Sequence, residues 1–204
     1  MARTIETKTA DRSAPGPRRS ARERLLASAN ELFYAEGVQS VGIDRIIEHA
    51  GVAKASLYNQ FGSKEELVQA YLQHRHAGTT GRLEAAINAH EDPRDRLLSV
   101  FEAQGRLFQH PGFNGCAFMS ASAEAAPGGL VQAAADEFRA WIRAMFTDLA
   151  RAAGAPDPAR LARQLHLIYD GAIMTARLDR DPSIAAEARS AAAALLDAAL
   201  ASGA

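Results

Sequence analysis

Three Asp-Pro pairs, Asp92-Pro93, Asp157-Pro158 and Asp181-Pro182, constrain this chain more than any other feature. Aspartate before a helix accepts hydrogen bonds from the free N–H groups of the first turn. Proline at the first helical position lacks only an N–H that has no intrahelical partner there. Each pair therefore marks a helix start. Ser20 with Glu23, and Ser63 with Glu66, have capping-box spacing and mark two more. Gly37, Gly51, Pro111-Gly112, Pro127-Gly128-Gly129 and Gly154 are stops. No segment alternates convincingly as a strand. The punctuation predicts nine helices: Ser20 to Gly37, a second ended by Gly51, about 53–61, a long one from Ser63 toward His90, then 93–109, 114–125, 130–153, 158–178 and 182–201. Gly78 and Gly81 are points where the long helix can bend. The fold class is all-α.

Composition agrees. Hydrophobic residues make up 48% of the chain but aromatics only 6%, so the core is built from Ala, Leu, Ile and Val. The single cysteine, Cys116, excludes an internal disulfide and fits a reducing cytoplasm. No apolar run reaches the roughly 18 residues of a membrane span, and the N-terminus lacks an apolar signal core. A soluble cytoplasmic protein with no membrane partner is expected. Net charge is -1, which announces no nucleic acid. Its distribution is more telling: residues 1–76 carry eleven Lys and Arg against nine Asp and Glu. Arg12, Arg18, Arg19, Arg22 and Arg24 crowd the start. Residues 1–19 read as a flexible basic arm, 20–66 as a three-helix domain, and 67–204 as a helical body joined to it by the long helix.

Residues 37–67 carry the functional signal: a short helix, a glycine-centred turn at Gly51, a second short helix, and the start of a long one. A helix pair of this kind places side chains in the DNA major groove. If Leu57 of the second short helix points inward, Ala53 and Phe61 lie within about 40° of it on the helical wheel. Ala55 and Asn59 then face out, flanked by Ser56 and Tyr58, with Lys54 at the leading edge. Small Ala55 permits close approach, and Asn59 can offer its amide to a base edge. Lys54, Ser56 and Tyr58 can reach phosphates. Lys64 sits in a first helical turn whose free N–H groups attract phosphate. The bland reading of such a motif alone is a surface helix in a bundle.

The whole string resembles the N-terminal domain of the TetR/AcrR family of transcriptional regulators. The matching residues are Phe33-Tyr34-Ala35-Glu36-Gly37, Ile43-Asp44-Arg45-Ile46-Ile47, Ala50-Gly51-Val52, Lys54-Ala55-Ser56-Leu57-Tyr58, Phe61 and Ser63-Lys64-Glu65-Glu66-Leu67. The resemblance implies DNA contacts by Lys54, Ser56, Tyr58, Asn59 and Gln60, and a phosphate contact by Lys64. Many members carry a hydroxyl residue where this chain has Val41 and Gly42, so the backbone N–H groups of Gly42 and Ile43 are the expected substitutes. It further implies a homodimer on a palindromic operator and a small apolar or amphipathic effector held in the body. The most direct reading is a repressor released by an inducer.

Phe113-Asn114-Gly115-Cys116-Ala117-Phe118-Met119 resembles one branch of the same family. Candidate pocket residues are Phe101, Phe108, Cys116, Phe118, Met119, Trp141, Met145 and Tyr169, each equally readable as core. Apolar stripes near the C-terminus give dimer candidates Leu161, Leu165, Ile168, Ala172, Leu195, Leu196 and Leu200, although such stripes also suit contacts within one subunit. Cys116 reads either as a reactive redox-sensing thiol or as a small buried hydrophobe. A hydrolase built on Cys116, His166 and Asp170 is a remote alternative, and a sequence-indifferent architectural DNA binder is another. No glycine-rich phosphate loop, metal signature or nucleophile elbow appears, so neither cofactor nor metal is expected. His74 and His76 diverge by about 200° on a helix, which is wrong for a shared ion.

Overall fold

A computed structural model describes residues 19–202. Among the described residues there are nine α-helices and no strands: α1 Ala21–Glu36, α2 Ile43–Ala50, α3 Lys54–Phe61, α4 Lys64–Asn88, α5 Pro93–Phe108, α6 Ala117–Glu124, α7 Leu130–Ala152, α8 Pro158–Asp179 and α9 Ile184–Ala201. The chain is all-α. Most of the expected basic arm lies outside the described residues.

The capping signals act as their chemistry requires, with instructive exceptions. Ser20 and Glu23 form the full box: Glu23 N–H donates to Ser20 Oγ at 3.2 Å, and Ser20 N–H to Glu23 Oε2 at 2.7 Å. At Ser63 only half a box forms. Glu66 N–H reaches Ser63 Oγ at 3.1 Å, but Ser63 N–H is already donated to Phe61 O at 2.8 Å. Asp92 accepts from Arg94 and Asp95 N–H, and Asp157 from Arg160 N–H. Asp181 instead accepts from Ser183 N–H at 2.8 Å, closing a turn around Pro182, and α9 starts later than expected, at Ile184. α6 also starts late, at Ala117, because Asn114 is engaged elsewhere.

The first three helices close on a small core of Leu25, Ala29, Leu32, Val41, Ile46 and Leu57, all buried. α4 joins that core to the body. Its first half buries Leu67, Val68, Tyr71 and Leu72, with Tyr71 edge-on to Phe33 at 5.6 Å. Its last turns bury Leu83, Ala86 and Ile87, where α5 packs against it. α7 packs on α4 and α8, and α9 lies against α5 and α8. Phe101 is fully buried at the centre of the body, tilted over Phe146 at 6.0 Å. No helix among the described residues is long and apolar enough to cross a membrane.

Loops tie the two halves together at both ends of α6. Before it, Tyr34 Oη donates to Gly115 O at 3.0 Å and accepts from Asn114 N–H at 2.9 Å, while Asn114 Nδ2 donates to Tyr34 O at 2.7 Å. After it, Glu124 Oε2 accepts from Gln39 N–H at 2.7 Å, and Gln39 Nε2 donates to Glu124 O at 3.2 Å. Farther on, Glu65 accepts from Leu130 N–H, the first residue of α7, at 3.0 Å.

Removing the Phe101 ring leaves a cavity that a packed helical body cannot collapse around. Phe101→Ala is expected to lower unfolding free energy by about 3–5 kcal/mol, measured by urea denaturation. Glu84→Ala, an exposed change on α4, is the control and should stay within about 0.5 kcal/mol.

Candidate nucleic-acid interface

α3 has one buried edge. Leu57 is fully enclosed and Phe61 is buried beneath the Arg22 guanidinium, which lies 5.0 Å from the ring centroid. The opposite side is open: Lys54, Ala55, Tyr58, Asn59 and Gln60 are exposed and Ser56 is half-buried. Tyr58 is 45% exposed, unusual for so large an aromatic side chain. Ala53 departs from expectation. It is the extended N-cap of α3 and is exposed, so the buried edge consists of Leu57 and Phe61 alone.

Two helix N-termini flank this strip. Gly42 precedes α2 with no side-chain cap, which leaves the N–H groups of the first turn, Ile43 included, without side-chain acceptors. Lys64 is the first residue of α4 and is half-buried. Positive dipole ends and a lysine thus bracket an exposed polar helix, as phosphate contact on either side of a base-reading strip requires.

Lys54 is not free. Its Nζ lies 2.9 Å from Asp44 Oδ1, which ties α3 to α2, and that hydrogen bond and charge raise the ammonium pKa. To meet a phosphate, Lys54 must exchange one anionic partner for another. Arg24, grouped above with the basic cluster, donates to Ala50 O at 3.2 Å and Gly51 O at 2.9 Å. It caps the C-terminus of α2, where a cation meets the negative dipole end. Arg45 forks onto Glu36 and fixes α2 against α1. The frame holding α3 is therefore ionic at its rim and apolar at its centre.

The body contains a partly open cavity of about 150 Å3 lined by α1, α4, α5, the start of α6, α7 and α8. Of the eight candidate pocket residues, Cys116, Phe118 and Tyr169 line it. Met119 lines a neighbouring groove, again with Cys116. Phe101, Phe108, Trp141 and Met145 lie elsewhere: Phe101 packs on Phe146, Phe108 on Phe113 and Trp141 on Phe138, while Met145 packs partly buried against the core. Apolarity carries no signal for the cavity's polar wall of Asn30, Tyr34, His74, Arg75, Thr79 and Arg82.

Burial raises the Cys116 thiol pKa, against the opposing pull of the Met119 and Phe118 N–H groups. A reactive thiol needs the reverse shift. For Asp170, burial pushes upward, but His166 at 3.4 Å and Arg139 at 2.9 Å more than offset it and hold the carboxyl below its ordinary value. Among the described residues no hydrogen bond joins Cys116 to His166, and no cluster of three His, Cys, Asp or Glu side chains is placed to hold a metal.

α8 has two apolar faces. Leu161, Leu165 and Ala172, with Leu196 of α9, are buried within the subunit, so these four candidates have no surface to offer a second chain. Ile168, Leu195 and Leu200 are partly buried. The face left uncovered is Leu167, Gly171, Met174 and Leu178, with Leu167 74% and Leu178 71% exposed. Its spacing of four, three and four residues is legible in the sequence once the buried stripe is set aside.

Comparisons with known proteins agree with this geometry. Residues 25–71 match the family model for bacterial regulatory proteins of the tetR family, and residues 93–192 match that for the tetracyclin repressor-like C-terminal domain. The structure is similar to a TetR-family transcriptional regulator from Streptomyces coelicolor, with a TM-score of 0.84 and 34% identity over 88% of this chain and 96% of that one. It is also similar to a putative regulator of the same kind from Streptomyces avermitilis, with a TM-score of 0.78 and 35% identity over 89% and 98%. Among curated proteins, the transcriptional activator FasR of Mycolicibacterium smegmatis is 34% identical over 54% of this chain and 53% of FasR. The transcriptional repressor NemR of Escherichia coli is 33% identical over 50% and 53%. The chain thus spans about half the length of the curated relatives it matches.

The Lys54–Asp44 pair gives a direct test of the interface. Asp44→Asn leaves the lysine unneutralised, so DNA binding should release one more counterion. The slope of log affinity against log salt should steepen by about 0.9 in filter-binding or anisotropy titrations. An unchanged slope would show that Lys54 stays off the phosphates.

Proposed function

The chain belongs to the TetR family of transcriptional regulators, and we propose from this that it is a dimeric repressor that leaves a palindromic operator when a small molecule fills the body cavity. Residues 20–66 are the reading domain and 67–204 the sensing and pairing body. The observation that carries the reading is the open strip Ala55, Tyr58 and Asn59 on a helix whose opposite edge is locked by Leu57 and Phe61.

In this mechanism Asn59 reads a base edge, adenine being the usual partner of an amide. Tyr58, Lys54, Ser56, Gln60, Lys64 and the Gly42–Ile43 backbone set the register on the phosphates. One eight-residue helix makes few contacts. Two such helices set about 34 Å apart by a two-fold axis gain specificity together. The exposed Leu167, Gly171, Met174 and Leu178 stripe is the surface that pairs the bodies, and an apolar face of this kind favours burial against its own copy.

Ligand control follows from the cavity's walls. They include α4, which begins at Lys64, and Tyr34 and Gly115, which tie α1 to α6. A molecule filling the cavity favours the wall positions that fit it and so shifts the spacing of the reading heads. A coupling of about 1–3 kcal/mol changes operator occupancy about 5- to 150-fold. The name of FasR favours activation as a second reading of the same architecture. A promoter-reporter assay with and without the gene separates the two by its sign.

Selection from a random DNA pool should return a two-fold symmetric consensus. Asn59→Ala should relax preference at one base pair in each half-site, costing about 1–3 kcal/mol there, whereas Tyr58→Ala should weaken all sequences alike. A consensus unchanged by Asn59→Ala would remove its base-reading role. The double variant Leu167→Glu, Leu178→Glu should sediment as a monomer and lose operator affinity on the order of 100-fold or more. A dimer that survives both charges would place the pairing surface elsewhere.

A further inference from the structure

The body cavity is lopsided in chemistry. One wall is α4, where Arg75, Gly78, Thr79 and Arg82 share a face at helical spacing. The facing walls are apolar and aromatic: Phe118 stacks on Phe138 with ring centroids 3.8 Å apart, and Leu107 and Ile173 lie beside them. Among the described residues no carboxylate lines the cavity.

Arg75 and Arg82 are both half-buried, and with Arg96 they are the arginines among the described residues whose Nε is sealed from solvent without an acceptor. Arg45, Arg94, Arg139, Arg151 and Arg189 each meet a carboxylate. Arg75 and Arg82 form no salt bridge among the described residues, and the Nε of each is sealed from solvent with no protein acceptor. Arg75 is held by aromatic faces instead, its guanidinium 3.6 Å from the Tyr34 ring centroid and 5.8 Å from that of Tyr71. Arg82 has only a 3.4 Å contact to Thr79 Oγ1. Asp170, the nearby carboxylate of α8, is already taken by Arg139 and His166. Asn30 brings a further buried polar atom, Oδ1, without a donor, and its amide can present either end to a ligand.

A half-buried guanidinium without a counter-anion is costly, and its planar fork matches a carboxylate. We infer that this cavity binds a small amphipathic monocarboxylate, its acid group held by Arg82 and Arg75 and its apolar tail laid against Phe118 and Phe138. The inference rests on the cavity being the effector site of the proposed function, but binding can be measured without DNA.

The experiment uses the full chain and two matched pairs, 4-phenylbutyrate with its primary amide and octanoate with its primary amide, with inorganic phosphate alongside, in calorimetric titrations. At least one acid should bind, with its amide about 10- to 100-fold weaker, the range for losing a charge-assisted hydrogen bond. Arg82→Gln should weaken the acid by a similar factor, and Arg82→Lys should recover part of it. Arg75→Gln is the second variant should Arg82→Gln fail to fold. Equal binding of acid and amide, phosphate binding tighter than both acids, no binding by any of these anions at millimolar concentration, or acid binding indifferent to both arginines would overturn the inference. An acid that binds through Arg82 yet leaves the operator complex intact would uphold the anion site and remove the effector reading. Operator release by a neutral compound, with no acid bound, would do the reverse.

Discussion

α4 belongs to both halves of the molecule, and the rest of the architecture depends on its staying one helix. Its 25 residues span about 37 Å. Apolar burial secures it only at its ends, through Leu67, Val68, Tyr71 and Leu72 on one side and Leu83, Ala86 and Ile87 on the other. No residue between Leu72 and Leu83 is buried. That stretch contains Gly78-Thr79-Thr80-Gly81, four poor helix formers whose penalties against alanine sum to about 3 kcal/mol. The middle of the helix is held by polar and aromatic contacts instead: Arg75 over Tyr34, and His76 among Phe118, Phe138 and Trp141. The same stretch forms the cavity's cationic wall. The element linking reading head to body is therefore least secured where the cavity touches it.

A second linkage runs parallel to the first. Tyr34 of α1 accepts from Asn114 and donates to Gly115, while Glu124 closes the other end of α6 onto Gln39. Gly115 is favoured there because its φ of 84° is left-handed; a Cβ would also lie 2.6 Å from Cδ of the exposed Arg177 side chain, which can move aside. α6 is thus a short strut with both ends on the reading domain and its first turn on the cavity. Moving α1 and the α1–α2 loop while α6 stays fixed would break these hydrogen bonds, so a shift of the first three helices favours one of α6 as well.

Fold and reading strip were legible because local chemistry determines them. A capping aspartate, a proline or a terminal glycine acts on its own few residues, so most helix boundaries fell where these signals put them. The two late starts show the limit. Asn114 was drawn away from α6 by Tyr34, 80 residues distant, and no local signal carries that. Asp181-Pro182 resembled the other two pairs, but its carboxylate closed a turn before the helix began. The cavity was mostly illegible for another reason. Apolar side chains are interchangeable between core and pocket, so Phe101 and Phe118 look alike in sequence, whereas Arg75 and Arg82 look like ordinary surface charge. Helix α8 defeated a simple stripe count because it carries two apolar faces, and periodicity cannot say which one meets the chain's own core.

The reading head's electrostatics bear on how such a protein would let go. Lys54 is paired with Asp44, and Arg24 and Arg45 are occupied within the domain. Among the described residues 19–66, three of the six Lys and Arg side chains are thus engaged within the protein, which reduces what they can contribute to charge-driven affinity. In the proposed dimer, specificity and strength both come from seating two weak heads at once. Such an assembly is sensitive to spacing in a way that a strongly basic single head is not, because misplacing one head forfeits its whole contribution while the other holds only weakly. In that proposal a modest displacement of α4 would suffice for release, and the chain's near-neutral net charge is compatible with it.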